Sequence, residues 1–115
     1  WDIVNDKFGT PTYTNDFAKN LLLLINSNRS GLYNLVCEGN TNRLEVALFL
    51  KQILDKKFNI QININEVESN FFKKEYFSPR PNNECLINLR LNYLKLNEMR
   101  HWKIALEDYI KEWKF

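Results

Sequence analysis

The sequence predicts a small α/β domain with three main helices and two or three short strands. Three observations predict it. Apolar residues make up 44% of the 115-residue chain, enough for one modest core and too many for a disordered segment. Helical and extended apolar patterns alternate along the chain as helix, strand, helix. A later stretch, "FNIQININEV", sets Ile60, Ile62 and Ile64 against polar neighbours with period two, the signature of a half-buried strand or extended edge.

The elements follow in order. "WDIV" is a short apolar start that reads as the end of a strand. Residues 6–13 form a loop marked by Gly9 and Pro11. Thr14 is then a good helix N-cap, with Asp16 favourably placed in the first turn. Phe17, Leu21, Leu24 and Ile25 recur at the spacing of one buried helix face, widened by Leu22 and Leu23. Gly31 and Gly39 bound "GLYNLVCEG", and residues 32–37 read as a buried strand. Asn42 and Glu45 have capping-box spacing ahead of a helix over residues 43–56. "ESNFFKKEYF" reads as a short helical turn and loop. Prolines on both sides of Arg80 exclude regular helix there and favour extended backbone. The last helix runs over residues 100–113, with a stripe of Trp102, Ala105, Leu106, Tyr109, Ile110 and Trp113. Neither repeat nor linker interrupts the chain, so residues 1–115 are expected to form a single domain.

Charge and motifs narrow the function. A net charge of +2, with no basic run longer than two residues, does not suit nucleic acid, and none is expected as a partner. Cys37, Cys85 and the lone His101 make no ligand motif, so no metal is expected. The two cysteines read as reduced thiols of a cytoplasmic protein. The apolar run Leu21 to Ile25 is far short of the roughly 20 residues of a membrane span, and no membrane partner is expected. With three glycines there is no G-x-G-x-x-G and no P-loop. No G-x-S-x-G and no Tyr-x-x-x-Lys appears, so no residue of this chain is assigned to catalysis. The chain starts at Trp1 with no leader before it, and a piece of a longer protein is expected.

Two places carry candidate chemistry. The turn "GTPTYT" brings Thr10, Pro11, Thr12 and Tyr13 to a helix start, where free N–H groups and the dipole suit an anion. The same residues equally serve a satisfied cap and a change of direction. Arg80, held between prolines, offers a planar fork of donors for phosphate; it is otherwise a surface arginine. Phe71, Phe72, Tyr76 and Phe77 suit stacking on a base or ordinary core packing.

The order of these segments resembles a known family. "GTPTYTNDFAKNLLLLI" resembles the Gly-x-Pro-Thr-x-x-x-Asp-Leu-Ala segment of the dTDP-4-dehydrorhamnose reductases. "GLYNLVCEGNTNRLEVALFL" is similar to their Gly-Ile-Tyr-His strand and following helix. "FSPRPNNECLINLRLNYLKL" is similar to their Arg-Pro block, and "MRHWKIALEDYI" to their closing Trp-x-x-Ala-Leu helix. Asn42, Cys85 and Asn88 depart from the family's Ser, Ser and Asp, and Asn92 falls near its Lys. The resemblance implies the small C-terminal substrate-binding subdomain of an extended short-chain dehydrogenase/reductase, with the Rossmann half absent from this chain. It implies a parent enzyme that reduces dTDP-4-dehydro-L-rhamnose with NADPH or NADH, the cofactor being bound by an N-terminal Rossmann half of the same protein. It places Thr10, Pro11, Thr12 and Tyr13 close to the sugar, and Arg80 with Pro81 at the diphosphate of the nucleotide-sugar substrate. Other nucleotide-sugar epimerases or dehydratases of the superfamily, and a non-catalytic binding or regulatory module, are the alternatives.

Overall fold

The computed structural model describes residues 1–74, 78 and 80–113. Tyr76, Phe77 and Pro79, which entered the readings of the aromatic cluster and of the Pro-Arg-Pro segment, lie outside the described residues. The protein is a small α/β chain in two compact units: Trp1–Gly9 with Asn40–Cys85, and Thr10–Gly39 with Leu86–Phe115.

The first unit is a strand–helix–strand arrangement. Strands β1 (Asp2–Val4) and β2 (Asn65–Val67) pair in parallel, with Asp2 opposite Asn65 and Val4 opposite Val67. Helix α2 (Arg43–Phe58) lies between them in sequence and packs on β1. Parallel strands need such a crossover, since no tight turn can connect them. The core of the unit is Val4, Ile53 and Leu54. At the start of α2, Asn42 Oδ1 accepts the Glu45 backbone N–H at 2.8 Å, the cap its spacing predicts. The Glu45 carboxylate accepts the hydroxyl of the buried Thr41 at 2.7 Å rather than completing the box. The helix ends at Asn59, which takes the left-handed conformation (φ 53°) that asparagine tolerates.

The alternation of Ile60, Ile62 and Ile64 survives as alternating burial, but only residues 65–67 pair as strand. A 3₁₀ turn over Ser69–Phe72 follows, as the short helical turn was expected to. Asp6 anchors it, accepting the Ser69 backbone N–H at 3.0 Å and its hydroxyl at 2.7 Å.

The second unit holds α1 (Thr14–Asn26), α3 (Leu89–Tyr93) and α4 (Trp102–Lys111). Its core is Leu24, Cys37, Leu91, Met99, Trp102, Ala105 and Ile110. Full burial of a side chain such as Ile110 or Leu91 contributes about 1.5–3 kcal/mol. Three expectations change here. Thr14 is the first residue of α1, not its cap; Tyr13 occupies the cap position and makes no side-chain cap bond. The buried face of α1 is Asp16, Asn20 and Leu24, while Phe17, Leu21, Leu22 and Ile25 are exposed. And residues 32–37 form no strand.

The cause of the last two changes is a set of long-range polar bonds. Asn88 is buried and clamps the backbone of Val36, accepting its N–H at 3.0 Å and donating to its carbonyl at 2.7 Å. One side chain thus does for Val36 what a neighbouring strand would. Beyond it, Glu38 N–H donates to the Arg100 carbonyl at 2.9 Å, and Trp102 N–H to the Glu38 carbonyl at 3.0 Å. On α1, Asn20 accepts the Glu98 N–H at 2.9 Å. Asp16 is 3% exposed and receives the Arg100 guanidinium on both oxygens, at 2.9 to 3.2 Å. Buried polar groups at this spacing need partners, and these partners lie some 80 residues away in the chain.

Candidate functional site

The predicted site residues fall in both units. Thr10, Pro11, Thr12 and Tyr13 belong to the second and lead into α1. Arg80 and Pro81 belong to the first.

In the turn, Thr10 Oγ1 donates to the Gly39 carbonyl at 2.8 Å. Thr12 Oγ1 accepts the Cys37 N–H at 3.4 Å. Both hydroxyls therefore tie the turn to the 37–39 segment, and Pro11 between them is exposed. The carbonyl of Tyr13 accepts the first helical N–H of α1, from Phe17, at 3.0 Å. Its hydroxyl donates to Glu112 Oε1 at 2.8 Å and accepts from Asn15 Nδ2 at 2.6 Å. The bond to Glu112 stabilises the protonated phenol and pushes it above its ordinary value. The Tyr13 ring meets Tyr109 edge to face at 6.0 Å. Behind the turn, Cys37 lies buried in the core, and that burial pushes its thiol up.

Two glycines hold close contacts around this unit. Gly39 has φ +92° and faces the His101 ring, and Gly31 has φ +123° and faces the Arg90 guanidinium, so neither has room for a Cβ. His101 caps α4, as an exposed helix-start residue, by accepting the Lys103 N–H at 3.3 Å. The Arg100 guanidinium also reaches Asp108, which Lys111 bonds from the next turn. That pair of cations holds the Asp108 carboxyl down to about 2. Sequence reading missed this chain of charges, although Asp16, Asn20 and Leu24 recur at every fourth position.

In the first unit, Arg80 is exposed and its guanidinium has no ion pair among the described residues. Its carbonyl accepts the Lys7 ammonium at 2.9 Å. The segment after Pro81 is tied back to Phe8 on both sides: Phe8 N–H donates to the Asn82 carbonyl at 2.8 Å, and Glu84 N–H donates to the Phe8 carbonyl at 2.9 Å. The loop carrying Arg80 is therefore braced by backbone bonds. Phe71 and Phe72 stack edge to face at 5.0 Å, with Phe71 largely exposed. Among the described residues no group of three His, Cys, Asp or Glu side chains is placed to hold a metal ion. No described helix is long and apolar enough to cross a membrane.

This small α/β chain carries an exposed arginine on a braced Arg-Pro loop of its first unit and a Thr-Pro-Thr turn at a helix start of its second. The chain belongs to the RmlD substrate binding domain family, whose model matches residues 1–115. No curated protein matches it. Solved structures that share its fold include three reductases. The dTDP-4-dehydrorhamnose reductase of Clostridium acetobutylicum is 24% identical, with a TM-score of 0.84 over 96% of this chain. That of Bacillus anthracis, solved in complex with NADP, is 23% identical, with a TM-score of 0.84 over 98%. The enzyme of Yersinia enterocolitica is 22% identical, with a TM-score of 0.80 over 96%. The chain spans 37–38% of the length of these proteins.

The residues present do not fit a nicotinamide dinucleotide. A pyrophosphate cradle needs glycine backbone opening a helix. Gly31 and Gly39 are instead closed off by Arg90 and His101, and Gly9 precedes a proline turn.

Proposed function

We propose that this chain is the substrate-binding part of a dTDP-4-dehydrorhamnose reductase, the enzyme that converts dTDP-4-dehydro-L-rhamnose to dTDP-L-rhamnose. The single observation that carries the reading is the family match along all 115 residues. The shared fold with three such reductases supports it. In this reading a dinucleotide-binding Rossmann half of the same protein binds NADPH or NADH and supplies the reacting groups. This chain supplies the wall over the nucleotide sugar.

Arg80 has the chemistry for the diphosphate. An exposed guanidinium with no carboxylate partner among the described residues keeps its donors for phosphate oxygens, and charge-assisted bonds of this kind are worth about 1.5–3 kcal/mol each. Pro81 restricts the backbone beside it and lowers the entropy of holding it in place. Thr10, Pro11, Thr12 and Tyr13 form the edge beside the sugar. The threonine hydroxyls hold the turn's shape through Gly39 and Cys37, and the exposed Pro11 and the Tyr13 hydroxyl form its ligand-facing surface.

The test is the reductase assay on the complete gene product. Nicotinamide oxidation that requires dTDP-4-dehydro-L-rhamnose is the expected result. Binding of the nucleotide sugar with no oxidation would instead assign a non-catalytic module. Turnover of a different nucleotide sugar would assign an epimerase or dehydratase.

A further inference from the structure

We propose that Lys7 is a second cationic contact for the diphosphate, acting beside Arg80. The inference rests on the reading of Arg80 as the diphosphate residue. Lys7 is half-buried, and its ammonium donates to the Arg80 carbonyl at 2.9 Å and to Asn82 Oδ1 at 2.7 Å. Both acceptors are neutral. An ammonium has three donors, so these two bonds leave one N–H, and Lys7 has no ion pair among the described residues, although the neighbouring Asp6 carboxylate feels its charge.

Several carboxylates of the same unit are hydrogen-bonded to groups other than Lys7. Asp6, next in the chain, is occupied by Ser69. Glu45 accepts from Thr41, and Glu66 from Asn5. Among the described residues every ion pair lies in the other unit, within the group Asp16, Arg100, Asp108 and Lys111. Two cations at one braced loop, neither in an ion pair among the described residues, match a ligand bearing more than one negative charge. A diphosphate has that charge density, and the Phe8–Asn82–Glu84 backbone bonds hold the pair ready for it. If Lys7 were only a staple for the loop, its loss would lower stability and leave anion binding unchanged.

The experiment measures affinity of the 115-residue chain for inorganic pyrophosphate, dTDP and UDP by calorimetry. Wild type is compared with Lys7→Gln, Lys7→Arg, Arg80→Gln and, as a control surface charge, Lys73→Gln, with circular dichroism confirming each fold. Lys7→Gln should weaken pyrophosphate and dTDP binding about tenfold, the loss of one charge-assisted bond. It should also flatten the salt dependence. Lys7→Arg should retain binding and Lys73→Gln should match wild type. Wild-type affinity in folded Lys7→Gln, or no pyrophosphate binding by wild type, overturns the proposal. A loss confined to Arg80→Gln refutes Lys7 but leaves the nucleotide-sugar reading standing. A Lys7-dependent site with no preference for dTDP over UDP upholds the cation pair and counts against that reading.

Discussion

Replacing Arg100 by methionine should be among the most damaging single changes in the second unit. The Asp16 carboxylate is 3% exposed, and Arg100 supplies three of its contacts at 2.9 to 3.2 Å. Removing the guanidinium leaves a buried carboxylate without a counter-charge. Such a loss typically costs about 3–5 kcal/mol. Arg100 itself is 34% exposed, so water enters the gap, and the low end, about 3 kcal/mol, applies. With a urea m-value of about 1.5 kcal/mol/M, the midpoint falls by about 2 M. The assay is urea unfolding followed by circular dichroism and tryptophan fluorescence, with m held constant as the check on two-state behaviour. Asp108→Asn, which removes only the half-exposed end of the network, should lower the midpoint by clearly less than Arg100→Met. A double variant, Asp16→Leu with Arg100→Met, should recover part of the loss, because no buried charge is then left alone. An Arg100→Met midpoint within about 0.3 M of wild type, or one matched by Asp108→Asn, would refute the reasoning.

Other expectations concern different contacts. Asn88→Leu removes the clamp on Val36 and leaves its backbone groups unpaired, which should lower stability by about 2–3 kcal/mol in thermal unfolding. Gly39→Ala should cost about 1–3 kcal/mol, since φ is +92° and His101 fills the space. Gly9→Ala, where nothing lies within 4 Å, should be nearly neutral in the same assay. Acid unfolding has a worked sign. Asp108 is depressed from 3.8 to about 2, so its contribution is complete above pH 3.8 and is lost as pH falls towards 2. Asp6 is also lowered, chiefly by the Ser69 hydroxyl. A pH titration of the midpoint should therefore decline below about pH 4 and shift less in Asp108→Asn.

The parts of the fold governed by neighbouring residues were legible in the sequence. The Asn42 cap, α2 and the α4 stripe that buries Trp102, Ala105 and Ile110 follow from local helical spacing, and the 3₁₀ turn after β2 falls in the stretch read as a short helical turn. The face of α1 did not. It carries four consecutive leucines, of which Leu24 buries, yet the other buried residues are the ones with distant partners, Asp16 with Arg100 and Asn20 with Glu98. Residues 32–37 were misread for the same reason, since a side chain, Asn88, replaces the strand that their composition implied. Helix α3 is five residues long and has no periodicity to detect. At the candidate site, the chemistry of Arg80 was visible as an arginine between prolines. The contacts of Lys7 with Arg80 and Asn82 were not, because they join residues over 70 positions apart.

The most direct test of the account is an NMR titration of the isotope-labelled chain with dTDP, with UDP as control. The account predicts saturable shifts at Thr10 to Tyr13 and around Lys7 and Arg80, larger for dTDP than for UDP. A well-folded sample in which neither ligand shifts these residues, or in which shifts concentrate elsewhere, would contradict it.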